Sequence, residues 1–184
     1  MRSESAAFRT AVFDALCACL NLDRDSAAAA ALIHEAYAEP ENVPRPPRNR
    51  NVIYWTVLQD PASDPVSTAY ITESAGAGRN MPVVYTTLKY QLIIVCYGPA
   101  AEEYAGRIRS VLYLDGSGFP RRILRDAGIY PVPDPPQPTV LHEEDGSLWR
   151  RRADLTVSLR VRDEQPACER NSIRAVPAVI LHKP

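Results

Sequence analysis

Residues 90–112, YQLIIVCYGPAAEEYAGRIRSVL, decide how the rest of the chain is read. The apolar, β-branched first half has strand character. Gly98 and Pro99 stop it, and Pro at the first helical position starts an amphipathic helix with Glu102 and Glu103 in its first turn. Tyr104, Ile108, Val111 and Leu112 are predicted on the buried side of that helix, with Glu103 and Arg107 paired at i, i+4. Apolar residues on both faces over Leu92 to Val95 predict burial on both sides of the strand at that end.

Several enzyme families place a nucleophile or phosphate cradle at such a strand-to-helix turn, so Cys96 must be tested. A cysteine phosphatase loop needs Arg after five intervening residues, and here that position is Glu102, which repels phosphate. Gly98 and Gly106 satisfy neither the Walker nor the dinucleotide pattern. A hydrolase elbow needs glycines around the nucleophile, whereas Ile94 and Val95 precede Cys96. The only histidines available to activate a thiolate are His34, His142 and His182. Cys96 is therefore read as a small buried hydrophobe.

Metal chemistry has no better footing. Cys17 and Cys19 on a helix point about 200° apart, which disfavours one shared ion. The acidic run His142, Glu143, Glu144 and Asp145 allows weak cation binding, but a solvated hairpin tip explains it better. No cofactor is expected.

Composition bounds the remaining choices. With 184 residues, 46% hydrophobic and 23% charged, the chain is long enough for one compact domain over 1–184. A net charge of −1 provides no drive toward nucleic acid or anionic lipid. Of the basic residues, all but Lys89 and Lys183 are arginine, which suits a GC-rich genome or bidentate pairing at an interface. Arg9 and Asp14 interrupt the first apolar segment, which excludes a signal peptide there, and no apolar run is long enough for a membrane span. Four cysteines without a short-spaced framework predict reduced thiols in a cytosol.

Reading along the chain, Phe8, Val12, Ala15, Leu16, Cys19 and Leu20 share one helical face, predicting a helix from about 4 to 21. Ser26 caps an alanine run ended by Pro40, predicting a surface or insert helix. The Pro- and Arg-rich segment that follows completes an insert spanning 23–50, helix and extended arm together. NVIYWTVLQD is a strand, and 61–82 reads as a long loop with at most a short strand at TAYIT. FPRRILRDAG is a short helix and YPVPDPPQP a polyproline-like crossover. TVLHEE, an Asp145-Gly146 turn and LWRRRADLTVSLRVRD form a hairpin, in which Ala153, Leu155, Val157, Leu159 and Val161 alternate with polar residues. Residues 164–184 are a C-terminal arm, with AVPAVILH a possible edge strand. The expected fold class is α+β, with helices packed on one face of a mainly antiparallel sheet, long loops and Pro-rich arms.

Long arms and a long loop suit a subunit that completes its fold in an assembly. The candidate interface residues are Arg45, Arg48 and Arg50 of the arm, Arg79 of the loop, and Trp149, Arg150 and Arg152 on the last strand. Trp55 and Trp149 are each read as core residue or interface anchor. The arginine run 150–152 favours a salt-bridging interface or solvated edge over nucleic acid.

A family likeness rests on the helix FRTAVFDALCACLNL, the strand IYWTVLQDP, the unit TLKYQLIIVCYGPAAEEYAGRIRSVL, the crossover DAGIYPVPDPPQPTVL and the strand WRRRADLTVSLRV. Together with Tyr97-Gly98, Gly128-Ile129 and the alternation from Arg152 to Val161, they resemble the tail terminator, or neck terminator, proteins of tailed bacteriophages. The resemblance implies a non-enzymatic virion protein assembled in the host cytoplasm into a hexameric ring at the head-proximal end of the tail. Its implied partners are the tail tube protein and a head-completion or connector protein; the 23–50 insert is longer than the family leads one to expect, and a sheath or connector neighbour is its expected contact. DNA would cross the lumen without sequence recognition. Two other classes remain open: a head-completion or baseplate adaptor of a phage-like particle, and a small cytosolic thiol enzyme centred on Cys96.

Overall fold

The structure, a computed structural model, describes residues 6–36, 49–60, 68–75, 79–114, 118–145 and 148–166, with the backbone alone at 68–75, 79–86, 145, 148 and 163–166. Four helices and seven strands lie within them: α1 (Ala6–Leu20), α2 (Ala27–Leu32), β1 (Ile33–Glu35), β2 (Val52–Gln59), β3 (Thr68–Ala75), β4 (Arg79–Tyr97), α3 (Ala101–Tyr113), α4 (Phe119–Asp126), β5 (Ile129–Pro131), β6 (Thr139–Asp145) and β7 (Leu148–Pro166).

Two strands of 19 residues, β4 and β7, pair antiparallel from Val83↔Pro166 to Tyr97↔Arg152 and form the spine of the sheet. At about 3.3 Å per residue each spans roughly 60 Å, far longer than an ordinary strand. On the free edge of β4 lie β2 and β3, and on the free edge of β7 lie β6 and β5. All pairings are antiparallel except β1 on β2, so the mainly antiparallel α+β expectation holds.

Period-two patterning sets which face is covered. Ile53, Trp55, Tyr90, Leu92, Ile94 and Cys96 are buried, as are Ala153, Leu155, Val157, Leu159 and Val161 opposite them. Helices α1, α3 and α4 close over this face in one core cluster. Each Leu or Ile side chain fully removed from water there contributes about 1.5–3 kcal/mol. Helix α3 buries Ala101, Ala105, Ile108 and Leu112, one stripe at helical spacing, with Tyr104 and Val111 partly buried beside it. Helix α1 packs Phe8 against Tyr90, their rings 6.0 Å apart. It ends in a Schellman turn: Asn21 takes φ 54°, and the Leu22 and Asn21 amides donate to the Cys17 and Ala18 carbonyls.

The turn after Cys96 is a structural corner. Gly98 has φ +108°, and a Cβ there would sit 2.6 Å from Asn51 Oδ1 and 2.7 Å from the Arg50 carbonyl, so only glycine fits. Asn51 Oδ1 accepts the Ala100 amide at 3.0 Å, tying the helix start to the entry of β2.

Several expectations need correction. Helix α2 is capped by the Ser26 hydroxyl, which accepts from the Ala29 amide, but it stops at Leu32. The next three residues join the sheet, because parallel pairing with Ile53–Trp55 satisfies their backbone better than an isolated helix turn does. The expected long loop 61–82 contains β3, a full strand paired to Arg79–Thr86. Ile93 and Val95 are only half-buried, because no helix among the described residues covers their face. Pro99 stands one residue before the α3 N-cap, Ala100, rather than at the first helical position. The hairpin register pairs Asp145 with Leu148, one residue later than the expected Asp145-Gly146 turn. Strand β7 runs on to Pro166, so 164–166 belong to the sheet. Glu102 pairs with Arg151 across to β7. The 132–138 crossover is irregular as expected, held by Arg109 Nε donating to the Pro136 carbonyl at 2.7 Å. The proposed strand AVPAVILH, Cys168 and His182 lie outside the described residues.

Candidate assembly interface

The face of the sheet away from the helices carries alternate positions of the same strands. Registers Tyr54↔Val95, Val95↔Asp154, Tyr97↔Arg152 and Glu143↔Arg150 bring Tyr54, Tyr97, Glu143, Arg150, Arg152 and Asp154 onto it. Tyr97 is the centre. Its hydroxyl donates to Glu143 Oε2 at 2.8 Å, the Arg150 guanidinium lies 4.4 Å from its ring centroid, and Arg152 lies at 5.7 Å. Tyr54 meets the Tyr97 ring edge-on at 6.1 Å, and His34 of β1 stacks at 5.8 Å on Tyr54.

Arg152 grips Asp154 through Nε and Nη2 at 2.7 and 2.8 Å and reaches Glu143 through Nη1 at 3.2 Å. Glu143 is thereby held below the usual carboxylate range, first by the Tyr97 hydroxyl, against a burial cost, and then by Arg152. Burial, followed by the hydrogen bond to Glu143, pushes Tyr97 up to about 12, so the phenol stays a donor at physiological pH. Arg150 is 7% exposed, yet its Nε and Nη2 have no hydrogen-bond partner among the described residues. A buried guanidinium held mainly by a ring face is costly in an isolated subunit.

The residues singled out from sequence have separate fates. Arg150 and Arg152 share this face, as strand alternation requires, while Arg151 points to the helix side. Trp149 is 68% exposed, whereas Trp55 is core. Arg50 donates to the Ala31 carbonyl at 3.2 Å and so ties off α2. Arg79 opens β4 opposite Ala75, and Arg45 and Arg48 lie outside the described residues. Tyr97, Asp154 and Tyr54 are not among the interface candidates read from the sequence, and Glu143 enters that reading only through the acidic run 142–145. The meeting of Tyr97 with Glu143 depends on the β6–β7–β4 register.

At the far end of β7, Gly118, Arg121, Arg122, Arg125, Ile129, Tyr130 and Pro131 line a cavity of about 510 Å³ between α4 and β5. Arg122 covers the exposed Phe119 ring at 5.3 Å.

Cys96 is not placed as an accessible nucleophile. The residue is completely buried, and burial, with Asp154 nearby, pushes its thiol up to about 12, so it holds no thiolate at neutral pH. Cys17 is buried and raised as well, first by desolvation. Among the described residues no group of three or more His, Cys, Asp or Glu is placed to hold a metal ion, and no helix is long and apolar enough to cross a membrane.

Comparison with known proteins agrees with the resemblance read from the sequence. The family model described as phage neck terminator protein matches residues 6–182. No curated protein matches the chain. A match over nearly the whole length, from α1 to beyond β7, shows that this chain belongs to the phage neck terminator protein family.

Proposed function

We propose that this neck component acts as the ring that ends the tail: six copies close around the head-proximal end of the tube, stop its growth and dock the tail onto a head-completion or connector protein. The observation that carries the reading is the family match over residues 6–182. The surface supports it, because an exposed indole such as Trp149 suits a contact that a neighbour covers. With a net charge of −1, the chain suits a lumen that passes DNA without gripping it. The tube protein is the expected partner on one side of the ring. A sheath or connector neighbour is the expected contact of the 23–50 segment, and the whole chain is expected to act as one domain.

Mass photometry and negative-stain microscopy of the purified chain test this. A closed ring near six times 20.4 kDa is expected. A particle that stays monomeric at all concentrations and binds a connector but never a tube would favour the adaptor reading instead.

A further inference from the structure

The two ends of β7 carry surfaces that match each other. On the β6–β7 hairpin, Glu144 pairs directly with Trp149, and Val140 lies on the same face of β6. Val140 and Trp149 are exposed, so this end presents an indole and an aliphatic side chain flanked by a carboxylate. At the other end, Ile129 pairs with Val161, and β5 with α4 forms the cavity lined by Arg121, Arg122, Arg125, Ile129, Tyr130 and Pro131. No acidic side chain is among those lining residues, Tyr130 among them is exposed, and so is Phe119 beneath Arg122. From position 149 to position 161 an extended strand covers about 40 Å.

We infer that Trp149 of one copy inserts into the α4–β5 cavity of the next copy, with Glu144 facing the Arg122 and Arg125 guanidiniums. This rests on the ring reading and names the contact that builds it. The cavity is roomy enough for an indole, and its guanidiniums offer flat cationic faces to stack on it, as Arg122 already does on Phe119. Because knob and socket sit on different parts of one chain, the contact is heterologous, and repetition closes a ring or extends a filament. Glu143 has a separate duty, since it is engaged by Tyr97 and Arg152 within its own subunit.

Charge reversal in matched pairs tests the contact. Arg122→Glu with Arg125→Glu, and separately Glu144→Arg, should each weaken self-association of the full chain on the order of 100-fold or more, because like charges then face each other. Mixing the two variants should restore assemblies of the wild-type mass in which they alternate. Trp149→Ala should weaken association on the order of 30-fold. These positions are on the surface, and unchanged thermal melts will show that the subunit still folds. If wild type forms rings that all three variants keep, or if the mixture stays dissociated, the contact is wrong and the ring stands. A wild type that forms only two-fold dimers, or only monomers, overturns both.

Discussion

The two faces of the β4–β7 ribbon are built from alternate residues of the same strands, yet they do opposite things. Toward the helices, Ala153, Leu155, Val157, Leu159 and Val161 are completely buried and need nothing beyond the subunit. Away from the helices, Arg152 is fully engaged by Asp154 and Glu143, while Arg150 is buried with two unsatisfied donors. One face stabilises the fold. The other holds a buried cation whose Nε and Nη2 find no hydrogen-bond partner among the described residues, which costs stability.

Substitutions should separate the faces. The largest effect belongs to the covered face: Leu155→Ala should cost about 3 kcal/mol in urea unfolding, through lost transfer energy and the cavity left behind. A loss under about 1 kcal/mol would mean that the core is not where the register places it. Next comes the corner that joins the faces. Gly98→Ala should cost about 2 kcal/mol or more, since it forces a Cβ onto Asn51 and Arg50 at φ +108°; an unchanged melting temperature would remove the claim that this glycine is structural.

On the outer face the effects should shrink. Tyr97→Phe should cost about 1 kcal/mol, the net value of its hydrogen bond to Glu143. It should also change the pH profile. Tyr97 has a raised folded pKa, so its contribution is present below the unfolded value of about 10 and fades as pH rises toward about 12; the variant should lose less stability across that range. Glu143 is lowered, so its contribution is present above the unfolded value of about 4.3 and is lost as pH falls through the folded one. Glu143→Gln should therefore flatten the acid limb of a stability curve, and an unaltered limb would detach Glu143 from the network.

The smallest effect, and the most telling for the comparison, is Arg150→Met. Replacing a buried, half-satisfied guanidinium with an apolar side chain should leave stability equal or higher. A loss above about 1 kcal/mol would show that the outer face is as self-sufficient as the inner one.

Local pattern made the spine legible. The strict alternation from Ala153 to Val161 named the inner face of β7, and helical spacing placed Ile108 and Leu112 under α3. What stayed hidden depended on strand pairing more than on local propensity. Ile33-His34-Glu35 follows an alanine run with high helix propensity and becomes a strand only through Ile53–Trp55. The strand Thr68–Ala75 is flanked by proline and glycine, and pairing with Arg79–Thr86 is what forms it. The candidate site divides in the same way. Arg150 and Arg152 could be placed on one face by counting, but Tyr97 meets Glu143 only through a three-strand register. The Arg-lined cavity needs β5, which lies in a proline-rich stretch that reads as crossover.

Tail tubes grown in vitro with and without this chain test the central claim most directly. If the account is right, the chain binds at one tube end as a ring, visible by negative stain, and elongation at that end stops at stoichiometric addition. Tubes that keep growing at both ends, with no ring on either, would contradict it.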